Sequence, residues 1–211
     1  MCGLTGFIGP AHESESDLIA VASRMASTLQ HRGPNDFGAW ADESAGVALG
    51  HRRLSILDLS AAGHQPMVSA TGRYVIAFNG EIYNHLELRA RFQAEGHAAQ
   101  WRGHSDTETL LAGFTHWGLE GTLGRATGMF AIALWDRQER VLTLARDRVG
   151  EKPLYYGWQG KHFLFGSELK ALRAHPAFQA PIDLGALDAL GAGPDDLAIA
   201  QGAAGGDLLF A

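Results

Sequence analysis

The stretch GMFAIALWDRQERVLTLARDRVGEKPLYYGWQGKHFLFG, residues 128–166, holds apolar runs broken at short intervals by charged and Gly-Pro turn signals. Read by alternation and length, it packs three or four strands closely: Met129–Trp135, Val141–Arg146, Leu154–Trp158 and His162–Phe165. Arg146–Pro153 between them reads as a charged turn. Outward toward the N-terminus, Gly-rich residues 121–128 form a turn after a helix running from Ser105 to about Trp117. Ser105-Asp-Thr-Glu108 has the spacing of a capping box, in which Glu108 reaches back to the N–H of the cap. A second helix is expected near 84–95, with Leu86, Leu88 and Phe92 on one face, and a third over 15–30, where Leu18, Ile19, Ala22, Met25, Ala26 and Leu29 recur at the helical period after Ser14 or Ser16 as cap. Short strands are expected at Gly3–Ile8, Phe37–Ala41, Gly46–His51, Leu54–Leu57 and Tyr74–Asn79, at a spacing that favours antiparallel pairing. Outward in the other direction lies a short helix at Glu168–Ala174. Residues 185–211, with eight Ala and six Gly, then read as a tail or linker. The order of these elements indicates an α+β fold.

Length and composition set the frame. At about 150 residues per domain, 211 residues make one generous domain or one domain with an appendage. The net charge of −6 argues against nucleic-acid or basic membrane-surface binding. It is unevenly spread: residues 1–173 hold all 17 basic and 18 of the 23 acidic residues, a balance of −1, and the remainder carries −5. No run approaches the roughly 18 apolar residues of a membrane span, and the N-terminus lacks a signal-peptide pattern, so a cytoplasmic protein is expected. A single cysteine excludes a disulfide framework and a thiolate-rich zinc site. His51 and His64 lack clustered carboxylates and no histidine pair has zincin spacing; the ten histidines are read as loop and surface residues and no metal site is expected.

That cysteine directly follows Met1. Small second residues permit removal of the initiator, and Cys2 would then carry a free α-amine beside its thiol. With an α-amine pKa of roughly 7.7–8.0, nucleophile and base come from one residue. Alone, a cysteine at this position also fits a small buried hydrophobe. Likewise Asn79-Gly80 is, in isolation, a hairpin-turn signal.

Taken in order, MCGLTGFIG, HRGPND, GHRRLSILDLS, GHQPM, FNGEIYNHLELR, SDTETLL, GMFAIALWD, LARDRVGEKPLYYG and FGSELKAL strongly resemble the class II glutamine amidotransferases, whose glutaminase domain uses an N-terminal nucleophile. They are most similar to the glutaminase domain of glutamine-dependent asparagine synthetase. The resemblance runs from residue 2 to about 176 and implies a four-layer αββα sandwich of two antiparallel sheets, with a glutaminase domain over 1–184 and an acidic tail or linker over 185–211. It implies that Cys2 attacks the side-chain amide of glutamine, releasing ammonia and leaving a glutamyl thioester for water. Asn79 and Gly80 match the oxyanion hole. Arg53 matches the fork for the α-carboxylate, and Glu81 and Asp106 the acids for the α-ammonium. Asp106 also suits a helix N-terminus through the dipole alone. His31, Arg32 and Gly33 match a loop that covers the nucleophile and are grouped with the substrate-binding residues; Asn35 stands where the motif normally has aspartate, with Asp36 following. In the family, Arg146–Pro153 lies toward the synthetase side, implying an interdomain role.

A complete asparagine synthetase resembles this chain followed by a longer ATP-dependent domain marked by Ser-Gly-Gly-x-Asp-Ser. Ala204-Gly-Gly-Asp207 lacks both serines and is not read as a nucleotide site. The expectation is therefore a glutaminase with its synthetase domain absent, needing no cofactor of its own, ATP and Mg belonging to that missing domain. Its expected partners are glutamine and a synthetase domain or subunit, with a homodimer compatible. Two alternatives stay open: a glutamine-binding regulatory module or inactive truncated fragment, and a glutaminase serving another acceptor such as a sugar phosphate.

Overall fold

Alternation along the strands builds the layers. The computed structural model describes residues 1–11, 13–56, 58–97 and 101–179. Five strands, β1 (Gly3–Ile8), β2 (Asp36–Asp42), β3 (Val47–Arg53), β8 (Tyr155–Gln159) and β9 (His162–Gly166), form one antiparallel sheet in the order β2-β3-β1-β9-β8. Four more, β4 (Met67–Val68), β5 (Tyr74–Ile82), β6 (Gly128–Asp136) and β7 (Val141–Arg146), form a second in the order β4-β5-β6-β7. Because successive side chains leave opposite faces, each sheet has two apolar surfaces to cover. Leu4, Val47, Leu49 and Phe165 of the first sheet meet Val75, Ala77, Ala133 and Trp135 of the second. The other face of the first sheet, with Phe7, Ala48 and Leu164, packs on Leu18, Ala22 and Met25 of α1 (Glu15–Ser27) and Leu172 of α4 (Leu169–Arg173). On the second sheet, Ile76, Phe78, Phe130 and Ile132 pack on Leu88 of α2 (His85–Ala94) and Leu110, Leu111 and Phe114 of α3 (Asp106–Arg125). Three apolar interfaces separate four layers, and each fully buried Leu or Phe in them contributes about 1.5–3 kcal/mol. The expected αββα sandwich is what forms.

Several expectations change in detail. Ser14 rather than Ser16 caps α1, its hydroxyl accepting from Asp17 N–H at 3.3 Å, and the helix ends at Ser27 rather than near residue 30. Leu88 and Phe92 bury, but Leu86 of the same expected face is 67% exposed. Ser105 caps α3 as read, accepting from Glu108 N–H, whereas Glu108 accepts from Arg102 N–H and Gly103 N–H instead of reaching the cap. α3 does not stop at Trp117: it breaks at Gly118, whose φ of 72° suits glycine, and a further helical stretch reaches Arg125 where a turn was expected. No strand forms at Leu54–Ile56; Leu57, like the 185–211 tail and Ala204–Asp207, lies outside the described residues. Asn79-Gly80 is not a turn. β5 runs straight through it, with Asn79 opposite Ala131 and Gly80 opposite Phe130. Among the described residues no helix is long and apolar enough to cross a membrane.

Candidate active site

Cys2 stands one residue before β1, a central strand of its sheet, so the ladder holds its backbone at the sheet's end. Its thiol is bracketed by the backbone of one residue: Sγ accepts from Leu54 N–H at 3.3 Å and faces the Leu54 carbonyl at 3.7 Å. Burial pushes the thiol up from its ordinary value, outweighing the Leu54 contact and the positive charges of the chain terminus and Arg53. The resting sulfur is thus a neutral thiol that needs a base to become a nucleophile.

The second half of the site comes from the edge of β5. Arg137 N–H donates to the Arg73 carbonyl at 2.9 Å and Tyr83 N–H to the Thr127 carbonyl at 2.8 Å, so odd-numbered residues of β5 turn their backbone groups toward β6. Even-numbered ones, Gly80 among them, turn theirs toward the β4 side. β4 pairs only with Val75 and Ile76, so no strand lies opposite Gly80 there. Side-chain alternation directs Asn79, like Val75 and Ala77, between the sheets. Asn79 is 1% exposed, and its Nδ2 has no hydrogen-bond partner. Buried polar groups are nearly always paired, so an orphaned amide facing a cleft marks a place where something else accepts.

One cleft gathers Cys2, Arg53, Asn79, Gly80, Glu81 and Asp106, with Leu54, Gln65, Thr107, Met129 and Lys152 also lining it. Arg53, at the end of β3, donates from Nη1 to the Ser60 carbonyl at 3.0 Å and from Nη2 to the Asp58 carbonyl. Two of its five donors fix the guanidinium plane and the rest remain for a ligand. Asp58 anchors that loop. The Ser60 hydroxyl first, with the backbone N–H groups of His104 and Ser60, holds its carboxyl at about 2. Asp106, in the first turn of α3, accepts from Ile82 N–H and Thr107 N–H at 2.9 Å each. Burial still raises its carboxyl above the ordinary range. Cation, carboxylates, thiol and free donors therefore converge, the set needed for a zwitterion carrying a reactive carbonyl.

His31, Arg32 and Gly33 are not among the described residues lining the cleft; they brace it from behind. Arg32 Nε donates to the Cys2 carbonyl at 2.9 Å and its Nη1 to Glu168 at 3.0 Å. His31 pairs with the same Glu168 carboxylate. Burial would raise Glu168, but hydrogen bonds from Arg32, Lys170 and His31 outweigh it and hold it at about 2. Gly33 packs against the Arg52 carbonyl, and Asn35 accepts from Ser55 N–H at 3.1 Å, tying the loop to the segment after Arg53.

Three residues gain places that the sequence reading did not assign. His51, read as loop or surface, is fully buried: Nε2–H donates to the Phe78 carbonyl at 2.9 Å, and burial lowers its pKa to about 4. Alternation was the available signal, since His51 shares a face of β3 with Val47, Leu49 and Arg53. Gln65 sat in the quoted GHQPM with no role. Lys152 ends the charged turn, which Asp147 organises by accepting from Phe130, Glu151 and Lys152 N–H groups. Lys152 is 4% exposed, and its ammonium lies 2.8 Å from the Met129 sulfur and 3.5 Å from that of Met1.

Comparison with known proteins decides the family. The family model described as "Glutamine amidotransferase domain" matches residues 1–194. The chain belongs to this glutamine amidotransferase domain family. Over 197 residues, 92% of the chain, this amidotransferase domain is 40% identical to asparagine synthetase [glutamine-hydrolyzing] 3 of Bacillus subtilis, covering 31% of that protein. A putative asparagine synthetase [glutamine-hydrolyzing] of Mycobacterium bovis is 42% identical over 183 residues, 82% of the chain and 28% of the relative. The chain thus spans about a third of the length of these relatives. Among solved structures, the glutamine phosphoribosylpyrophosphate amidotransferase of B. subtilis superposes with a TM-score of 0.66 at 22% identity, over 82% of this chain and 43% of that one, a likeness of fold.

Proposed function

We propose that this amidotransferase domain hydrolyses the side-chain amide of glutamine to glutamate and ammonia through a thioester on Cys2. The observation that carries the reading is the single cleft in which a bracketed thiol, the orphaned Asn79 amide, the Gly80 N–H, the Arg53 fork and two carboxylates meet. Glutamine enters with its α-carboxylate on Arg53, a planar fork suited to two parallel charge-assisted bonds, and its α-ammonium toward Glu81 and Asp106. That leaves the side-chain amide at Cys2. Removal of Met1 frees the α-amine of Cys2, which takes the thiol proton as sulfur adds to the amide carbon. The oxyanion is received by Asn79 Nδ2 and Gly80 N–H, donors whose placement ahead of the reaction spares reorganisation. The protonated amine returns its proton to the leaving nitrogen; ammonia departs, and water, deprotonated by the same amine, cleaves the thioester to glutamate.

These protein groups supply every step of the hydrolysis as proposed, so no cofactor is assigned to this domain. By likeness to the asparagine synthetases, the ammonia serves an ATP-dependent, Mg-requiring amidation by a synthetase domain or subunit in the cytoplasm. The test is ammonia release from glutamine by protein whose N-terminal residue is confirmed by mass spectrometry as Cys2. Release should fall to background in Cys2→Ala, and a glutamine-analogue electrophile should label Cys2. Release that survives Cys2→Ala overturns the mechanism. Glutamine binding with neither release nor labelling would instead make the domain a glutamine sensor.

A further inference from the structure

The ladder edge that exposes Gly80 raises a problem at Phe78, two residues earlier on the same side. Continuing the β4 register would set Gln65 opposite Phe78 and Gly63 opposite Gly80. A strand so prolonged would pair with Gly80 N–H and close the cleft. β4 ends at Met67 instead, and the buried backbone groups of Phe78 need other partners. They find them in two side chains. Gln65 Oε1 accepts from Phe78 N–H at 2.7 Å, and His51 Nε2–H donates to the Phe78 carbonyl at 2.9 Å. Each of these side chains also reaches another part of the site. Gln65 Nε2 donates to Thr107 Oγ1 at 3.3 Å, beside Asp106, and His51 lies two residues before Arg53 on β3.

We propose that Gln65 and His51 are positioning residues that clamp Phe78, replacing a strand with two side chains so that Asn79 and Gly80 keep their donors facing the cleft beside Cys2 while Gly80 N–H stays unpaired. The inference rests on the glutaminase reading above. It places part of the control of the oxyanion hole on a residue outside the cleft: His51 does not line it and acts only through Phe78, whereas Gln65 also lines it.

The test compares His51→Leu, which removes the donor, with His51→Gln, whose amide nitrogen reaches the position of Nε2. Ammonia release gives kcat and KM for the full-length variants, and calorimetry gives glutamine Kd with each change placed in a Cys2→Ala background. Losing one oxyanion donor outright costs about a hundredfold to a thousandfold in kcat, so a displaced pair should cost about ten- to a hundredfold. The expected result is that loss for His51→Leu, glutamine Kd within about threefold of the parent, and at least about a third of parental kcat in His51→Gln. Equal losses in both variants, a kcat for His51→Leu within about threefold of the parent, or a fall in glutamine affinity matching the fall in kcat would overturn the proposal. Should His51→Leu not fold, Gln65→Leu is judged by the same kcat and Kd criteria, and failure of both to fold overturns it too. A parent protein that releases no ammonia overturns the glutaminase reading and this inference together, whereas an active parent with unaffected variants overturns this inference alone.

Discussion

Asn79 shows how one buried side chain depends on its neighbours for the donor it presents to the cleft. Its Nδ2 is buried and unpartnered, a condition that costs stability unless a ligand accepts from it. Asn79→Ala should therefore lower kcat for glutamine hydrolysis by about a hundredfold to a thousandfold, equivalent to about 2.7–4 kcal/mol of barrier, with KM nearly unchanged. Steady-state kinetics of ammonia release check this; a loss confined to KM would assign Asn79 to ground-state binding. Cys2, Arg53, Asn79, Gly80, Glu81 and Asp106 were named as a set through the motifs that carry the resemblance, and all six line one cleft. His51, Gln65 and Lys152 were outside that set. Their places depend on what lies across a sheet or along a cleft wall: alternation on β3 could signal that His51 is buried, but not which distant carbonyl it meets.

β5 is the element on which local and long-range preferences disagree. Asn-Gly favours a two-residue turn, yet nine consecutive register pairs with β6 keep the chain extended from Tyr74 to Ile82. Pairing along the whole strand outweighs a dipeptide preference. Gly80 is retained there for space, since a Cβ would overlap the Met129 carbonyl and crowd Phe130 Cα. Gly80→Ala should push β5 from β6, destabilise the fold by about 1–3 kcal/mol as overpacking does, and reduce glutamine turnover with it. Urea unfolding followed by circular dichroism measures the first effect. Gly157→Ala on β8, where a Cβ meets open space, is the comparison and should shift the midpoint little. The helices were easier to read: α1 carries an apolar period and a serine cap, and the start of α3 carries the Ser105 cap. The break at Gly118 and the helical stretch beyond it escaped notice because the glycines after Trp117 read as a turn.

Across the molecule, four titratable groups, His51, His175, Asp58 and Glu168, give acidification one direction, and Asp106, whose carboxyl burial raises, opposes them. His51 and His175 have native pKa values of about 4 against an ordinary 6.5, desolvation being the main cause in each. Between those values the unfolded chain takes up protons that the folded chain refuses, so stability falls as pH drops from about 6.5 toward 4. Asp58 and Glu168, held at about 2 against 3.8 and 4.5, carry stability that is present above their unfolded values and lost as pH falls from about 4.5 to 2. The signs agree, and His51 alone accounts for on the order of 3 kcal/mol at full displacement. Thermal melting between pH 8 and pH 4 should show a steady decline that begins near 6.5, and His51→Gln should flatten its upper part. A melting temperature unchanged down to pH 4.5 would count against buried neutral histidines.

Composition, period and element order were enough to read an α+β chain, because these properties belong to residue types and short spacings; the glutamine-site roles of Cys2, Arg53, Asn79, Gly80, Glu81 and Asp106 came through the resemblance. The layer arrangement itself followed only through resemblance. Whether Asn79-Gly80 turns or extends, how short β4 is, and which side chains take up the Phe78 backbone were settled by the three-dimensional arrangement. Hydrogen-bond partners in a sheet come from segments tens of residues away, and a buried polar group takes whichever partner the assembled layers bring to it.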